Sequence, residues 1–525
     1  MENNNNQTEF SHMPQSYWIA SASDLSDKYP ELKEDIKTDA VIVGGGIAGI
    51  TCAYLLQKEG IRTAILEADR ICRGTTGHTT AKITSQHELT YHKIKTKMGE
   101  EFAYQYSNAN QTAIDEIRKL KDELKIDCDF ISQSAFAFTE REENIQNIID
   151  EANTATSLGL NAAYVEELPF PIPVKAAVRF DGQAQFHPLK YALALAKEFL
   201  KNGGQIYEQT RVVEVDEQDG YTVTTEPGRK VTAERLIIAS HYPFYNKHGM
   251  YFSRIYEERS YVVAVSTAEK YPGGMYINVE DPTRSLRSQS FEDGELILVG
   301  GEHHKTGQGP DTTKHYEALS EFAHRIFNVK DMPFRWSTQD CMTVDGLPYV
   351  GQFTADTRNL YVATGFGKWG MTNSMASAML LRDLIVKGDS PWKEVYSPSR
   401  HTVAASTANF VVQNCNVAAK LVEGKLEQLP KDDSDILPGE GKAIRLDGKR
   451  AGAYRDENGI LFIVNTTCTH MGCELNWNQA ERTWDCPCHG SRFSYDGKIL
   501  EGPAVAPLTM DHDVKTLGKL INEDF

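Results

Sequence analysis

Long apolar runs are missing from this 525-residue chain. None reaches the ~18 residues that a membrane-spanning helix needs, so no span is expected. The first residues, MENNNNQTEFSHMPQSYWIAS, lack a basic stretch before an apolar core and lack a twin arginine, and a cytoplasmic location is the expectation. Positive charge is short as well. Lys and Arg number 55 against 73 Asp and Glu, a formal net charge of -18, and without a basic footprint nucleic acid is excluded as a partner. No period of about 20 to 50 residues recurs, which excludes a solenoid. Cysteine is sparse, nine in all, an odd number that suits no secreted disulfide framework. Four of the nine nevertheless fall between Cys468 and Cys488, and that clustering points to a metal site. What remains is ordinary globular material, 40% hydrophobic and 24% charged. The length is about three to four times that of a usual domain, so several cores are expected.

A polar arm covers residues 1–35, with an aromatic anchor at Tyr17 and Trp18. The buried-strand pattern Ala40-Val41-Ile42-Val43 then runs into Gly44-Gly45-Gly46-Ile47-Ala48-Gly49 and a helix-like segment ending at Gly60. A second strand, Ala64-Ile65-Leu66, ends at Glu67-Ala68. This is a βαβ unit whose Gly-x-Gly-x-x-Gly turn lets a pyrophosphate approach the backbone at a helix N-terminus. Glu67 stands 18 positions beyond Gly49, where a ribose hydroxyl would be held. Near residue 395 the pattern changes. Thr402 to Glu423 is amphipathic, with Phe410, Val411, Val417, Leu421 and Val422 apolar and Gly424 as a stop. It predicts a linker helix within residues 401–428, packed by its apolar face on one lobe. Lys431 to Asp435 reads as a solvated turn opening a small all-β domain over 429–525, with short strands between Gly, Asp and Asn turns.

Five segments in order, across roughly residues 36 to 395, resemble the D-amino-acid-oxidase-like superfamily of flavoproteins. They are the βαβ unit; Arg73-Gly74-Thr75-Thr76-Gly77-His78-Thr79-Thr80; Phe186-His187-Pro188 through Thr210-Arg211-Val212; Leu236-Ile237-Ile238-Ala239-Ser240; and Asp345 to Gly351 with Gly365-Phe366-Gly367-Lys368-Trp369-Gly370-Met371-Thr372. The resemblance implies FAD, bound by Gly44, Gly46, Ile47, Ala48, Gly49, Glu67, Ala68, Arg73, Gly74, Thr75, Thr76, Thr80, Val212, Ala239, Gly365, Gly367, Trp369, Gly370, Met371 and Thr372. It also implies an α/β and α+β architecture within residues 36–400. Rossmann-like FAD-binding parts at about 36–95, 181–244 and 336–395 would interleave with an antiparallel-sheet substrate lobe at 96–180 and 245–335. His78 and Thr79 depart from the arginine and asparagine of many relatives. Cys341 lies near the position where sarcosine oxidases attach flavin covalently, although the spacing to the next carboxylate differs, and a buried small hydrophobe is its ordinary reading.

Cys468-Thr469-His470 and Cys486-Pro487-Cys488-His489 are separated by 15 residues. Each offers one thiolate and one imidazole, the division of ligands that a Rieske [2Fe-2S] centre needs, with two thiolates on one iron and two imidazoles on the other. Cys468, His470, Cys486 and His489 are therefore the expected ligands. A tetrahedral zinc would accept the same donor types but fits this spacing poorly. The full boxes CTHMGC and CPCHGS resemble Rieske proteins of the cytochrome bc type. That resemblance implies a Cys473–Cys488 disulfide, the alternative being two reduced buried thiols. It also implies a sulfur-bonding serine at Ser491, while Phe493 replaces the tyrosine of high-potential members, so an intermediate potential is expected.

His87 and His92 in H-x4-H lack the nearby carboxylate of an iron facial triad and read as packing or surface residues. Glu302-His303-His304 reads as a strand-end turn, and Lys368 and Trp369 as loop or active-site residues. The reading is an FAD-dependent oxidoreductase that oxidises the C–N bond of an amine or amino acid and passes electrons singly to its own cluster and then to a protein or quinone acceptor. Two alternatives stay open: a reductase in which the cluster feeds FAD, and a non-enzymatic redox sensor or carrier.

Overall fold

The computed structural model describes residues 12–25, 27–169, 172–309, 311–400, 403–427, 429–430, 436–446 and 448–509. The expected turn at Lys431 to Asp435 lies outside the described residues.

Ile36–Val43 is buried along its second half, as a strand covered on both faces must be. It pairs in parallel with Thr63–Leu66 on one side and Lys230–Ile238 on the other, and the parallel order continues to Gln205–Tyr207 and Leu360–Thr364. Tyr349–Gln352 closes one edge antiparallel, and the hairpin Val212–Asp216/Tyr221–Thr225 joins Lys230–Ile238, completing an eight-stranded sheet. Helices Ile47–Lys58 and Gly370–Lys387, both apolar enough to be buried on most of their surface, pack together against it. Their N-termini arrive at the carboxyl end of the parallel strands, where open α/β sheets bind ligands.

A second, nine-stranded sheet is built mainly from Ile131–Thr139, Ala176–Gln185, Ile255–Thr267, Arg284–Phe291, Gly294–Lys305 and Val329–Thr343. Its pairs are antiparallel except for Met275–Asn278 beside Ile131–Thr139. Val329–Thr343 pairs with Ile255–Thr267 over most of its length, at one edge of this sheet. The N-terminal arm is pinned by its aromatic pair. Trp18 is fully buried, donates from Nε1 to the Thr79 carbonyl at 2.6 Å and lies beneath the Arg287 guanidinium.

A helix forms there, Val403–Leu426, but only part of the expected apolar face is turned inward. Val417 and Leu421 do pack inward, on the C-terminal core. Phe410, Val411 and Val422 are exposed, as are Val412 and Leu426. The inner face is held by amides instead: Asn409 Nδ2 donates to the Val344 carbonyl at 3.0 Å, and Asn414 Nδ2 to the Ser253 carbonyl at 2.9 Å. Asn416 Oδ1 accepts from Lys305 Nζ at 3.0 Å. Gly424 does not end the helix; a Cβ there would meet Glu474 Cβ at 2.7 Å, so its lack of a side chain permits a close contact.

Beyond the linker, a three-stranded sheet, Gly441–Leu446, Lys449–Arg455 and Leu461–Val464, and a four-stranded one, Asn476–Asn478, Thr483–Asp485, Arg492–Ser494 and Ile499–Glu501, make the small all-β domain.

Candidate functional site

The expected FAD residues converge at the carboxyl end of the parallel sheet. Gly44 has φ 114°, and a Cβ there would sit 2.4 Å from the Ala239 carbonyl oxygen, so only glycine lets the two strand ends touch. A Cβ on Gly49 would lie 2.0 Å from the Gly44 carbonyl oxygen. Thr76 Oγ1 accepts from the Ile47 N–H at 3.1 Å, fixing the loop after Arg73 and Gly74 over the first helix turn. The half-buried Glu67 carboxylate accepts from Gly45 N at 2.7 Å and Asp69 N at 2.9 Å, and the loss of solvent around it pushes its pKa up. Thr210 N reaches the Glu67 carbonyl, which brings Val212 beside the second strand. The N-cap residues of Ile47–Lys58 and Gly370–Lys387 make no side-chain cap, so apart from the Ile47 N–H held by Thr76 the first-turn N–H groups can serve anionic groups. Gly365 and Gly367 take φ 73° and 53°, and Thr372 Oγ1 donates to the Thr84 carbonyl at 3.0 Å. These glycine cradles and free helix ends fit FAD.

Trp369 stacks on His87 with centroids 4.6 Å apart. His87 is buried, Nδ1 on Tyr106 Oη at 2.8 Å and Nε2 on the Thr84 carbonyl at 2.7 Å, and burial pushes its pKa down to about 3. His92 finds Thr154 instead, so the two histidines share no site. Lys368 Nζ is tied to Asp340 Oδ2 at 2.7 Å and Ser260 Oγ at 3.0 Å. Glu302 pairs with Arg284 and His315 inside the strand Gly294–Lys305. Cys341 is buried, its Sγ 3.5 Å from Thr364 Oγ1.

Cys468, His470, Cys486 and His489 come together in the C-terminal domain, on two loops that fold alike. Cys468 N donates to the Cys473 carbonyl at 2.7 Å and Gly472 N to the Cys468 carbonyl at 2.9 Å; Cys486 N donates to the Ser491 carbonyl at 2.8 Å and Gly490 N to the Cys486 carbonyl at 3.0 Å. Gly472 and Gly490 make both turns possible at φ 75° and 77°. The two thiols are adjacent, and the hydrogen bond from Cys486 pulls the Cys468 thiol below its ordinary value while that of Cys486 is pushed up. Backbone N–H groups of His470 and Met471 and the Ser491 hydroxyl point at the same sulfur. The imidazoles lie 5.1 Å apart, with Nδ1 of each buried and without a hydrogen-bond partner. Burial pushes His470 down to about 4 and His489 to about 3, keeping both rings neutral as metal ligands must be. Two orphaned nitrogens beside two thiols with aligned N–H groups fit an iron–sulfur cluster. Cys473 and Cys488 form a disulfide across the two loops, S–S 2.17 Å.

The edge that carries these four residues is turned onto the rest of the chain. Tyr242 lies edge-on to His470 at 6.5 Å and Phe252 to His489 at 6.3 Å. Asn246 Nδ2 is 3.1 Å from His470 Nε2, and Gln339 Nε2 donates to the Gly490 carbonyl at 2.9 Å. The docking is anchored by Arg259, which is 2% exposed and binds Glu481 and Glu501 of the small domain, each at 2.9 Å. Arg492 holds the same two carboxylates from the other side, at 2.8 and 3.1 Å. Sequence reasoning found none of Tyr242, Asn246, Phe252 and Arg259. One signal was readable: His241-Tyr242 directly follows a parallel strand, at the end where such sheets place functional side chains.

The family model described as FAD dependent oxidoreductase matches residues 39–384, and that of the Rieske [2Fe-2S] domain matches residues 428–517. The Bacillus subtilis (strain 168) Rieske 2Fe-2S iron-sulfur protein YhfW is 43% identical over 495 residues, 94% of this chain and 97% of the relative. Gamma-glutamylputrescine oxidoreductase of Escherichia coli (strain K12) is 24% identical over 402 residues, 74% of this chain and 92% of the relative. Among solved structures, glycine oxidase from Geobacillus kaustophilus shares the fold with a TM-score of 0.60 and 20% identity, over 70% of this chain and 99% of that one.

Proposed function

The chain belongs to the FAD dependent oxidoreductase family and carries a fused Rieske [2Fe-2S] domain, and from that premise we propose that it oxidises the C–N bond of an amine or amino acid and sends the electrons singly through its own cluster to an external carrier. FAD, when bound, takes a hydride equivalent from the substrate, and the cluster handles one electron at a time. Gly44, Gly46 and Gly49 would receive the pyrophosphate at the helix N-terminus, with Glu67 on the ribose, Val212 and Ala239 at the nucleotide end, and the segments Arg73–Thr80 and Gly365–Thr372 around the flavin. Cys468, Cys486, His470 and His489 would hold the two irons.

The observation that carries the reading is the orientation of the small domain: His470 and His489 face Tyr242, Phe252 and Asn246 of the flavoprotein lobes, a contact that supports electron exchange between the two centres, while the direction, from FAD to cluster, follows from the oxidative chemistry proposed for the flavin. The glycine and gamma-glutamylputrescine named in the relatives support an amine substrate. His87, both of whose nitrogens are engaged, is no base, which is consistent with a substrate amine that arrives neutral. Anaerobic mixing with a panel of amines and amino acids tests the reading: flavin absorbance should bleach and the reduced cluster's EPR signal should follow. Bleaching that leaves the cluster oxidised would sink it, as would flavin reoxidation faster than cluster reduction when the flavin-reduced protein is afterwards mixed with air-saturated buffer.

A further inference from the structure

The wall between the two sites holds an acid–base pair that the reaction above leaves unused. His241 follows the strand Lys230–Ile238 in the left-handed region, φ 66°. That conformation is uncommon for a non-glycine residue, although histidine tolerates it better than most, and it sets the direction in which the ring leaves the strand end. Its Nδ1 lies 3.5 Å from Thr75 Oγ1, and its carbonyl accepts from the Thr364 hydroxyl, so two segments assigned to FAD grip it. Its Nε2 lies 3.4 Å from Glu257 Oε2. Glu257 closes the other side of the wall: a Cβ on Gly490, next to the ligand His489, would fall 2.5 Å from Glu257 Cβ.

The Glu257 side chain is 0% exposed, and neither of its oxygens nor His241 Nε2 has a well-formed hydrogen bond. A carboxylate buried so loosely is costly as packing alone, and a proton shared with the imidazole relieves that cost. The directions agree. Burial pushes the Glu257 carboxyl up, while the Glu257 charge, working against burial, lifts His241 above its ordinary value. The other titratable groups facing the pair are Tyr242, together with Cys341 and Asp340 of the strand Val329–Thr343 and Glu501 of the Rieske domain.

We propose that the His241–Glu257 pair takes the proton released when reduced FAD gives its electrons to the cluster, so that electron and proton part at this wall. The inference rests on the direction of flow proposed above. Two-electron oxidation of the reduced flavin anion releases one proton. His241 Nδ1 receives it by way of the Thr75 hydroxyl, and Glu257 stabilises the imidazolium. The two electrons are taken by the cluster one after the other, each passed on to an external one-electron carrier, a protein or quinone, before the next.

The test uses the full holoprotein. Pulse radiolysis injects single electrons into the oxidised form, and exchange between the centres is followed by flavin absorbance and freeze-quench EPR across about pH 5 to 8, where a histidine titrates, in H2O and D2O. The wild-type exchange rate should vary with pH and fall in D2O. Glu257→Gln and His241→Gln should lower it by roughly 100-fold, the reach of a positioned acid–base group, and flatten its pH dependence, with the cluster EPR signal and FAD content unchanged. Thr75→Val, which leaves the pair whole and cuts the hydroxyl link, should slow exchange in the same sense and serves if either of the other variants does not fold. Variants that exchange at the wild-type rate with the wild-type pH profile overturn the role of the pair. Absence of any exchange in the wild type overturns the electron route itself.

Discussion

Ser491 and Phe493 stand two positions apart and push the cluster's electron affinity in opposite directions. The Ser491 hydroxyl points at the Cys468 sulfur, while Phe493, fully buried, brings no hydroxyl at all. Hydrogen bonds to cluster sulfurs raise the potential, so Ser491→Ala should lower it and Phe493→Tyr should raise it. Redox titration monitored by EPR decides the matter; equal potentials in all three proteins would mean that neither hydroxyl reaches the cluster. At this scale the convergence of the four candidate ligands was legible because two Cys–His boxes at fixed spacing have few other uses. His241 and Glu257 were not, since a lone histidine and a lone glutamate carry no pattern, and their meaning comes from a meeting of segments far apart in the chain.

Among the elements, the linker helix shows what periodicity can and cannot tell. A helical period of apolar residues located Val403–Leu426, yet the direction of its face depends on partners that periodicity does not see. Asn409, Asn414 and Asn416 turn inward because lobe carbonyls and Lys305 await them, and that set of bonds outweighs burial of Phe410 and Val411. Leu421→Ala should therefore cost roughly 2 kcal/mol, the low end for a leucine that is only partly buried, whereas Val412→Lys should stay within about 0.5 kcal/mol. Urea denaturation of the two variants tests the orientation; a larger loss from Val412→Lys would reverse it. The βαβ unit, by contrast, was readable in detail, because its glycines answer to backbone contacts made within the unit itself and at the neighbouring Ala239.

For the molecule as a whole, both domain types were legible from local motifs, but their docking was not, because it depends on Arg259, one cation in a strand, meeting Glu481 and Glu501 more than 200 residues later. Arg259→Leu removes the only one of the two arginines that reaches across from the flavoprotein lobe, while Arg492 keeps its hold on both carboxylates, and should weaken docking by about 1.5 to 3 kcal/mol, seen as faster limited proteolysis and a larger radius in X-ray scattering; an unchanged radius would count against the anchor. Acid should act on the same contact. The two arginines, outweighing burial, hold Glu501 down to about 2 and Glu481 lower still. Their contribution is complete above the free carboxylate value of about 4.3 and drains away as pH falls through the depressed values. Undocking should therefore begin below about pH 4, and scattering across that range would show it.

The sealed guanidinium has a kinetic corollary. Because the two redox domains meet through a contact already made, transfer between them is no collision, and its rate should be first order, indifferent to dilution and nearly so to ionic strength, since buried charges are little screened. Only the incoming substrate and the outgoing carrier would then diffuse, and only their steps would respond to crowding, viscosity or salt.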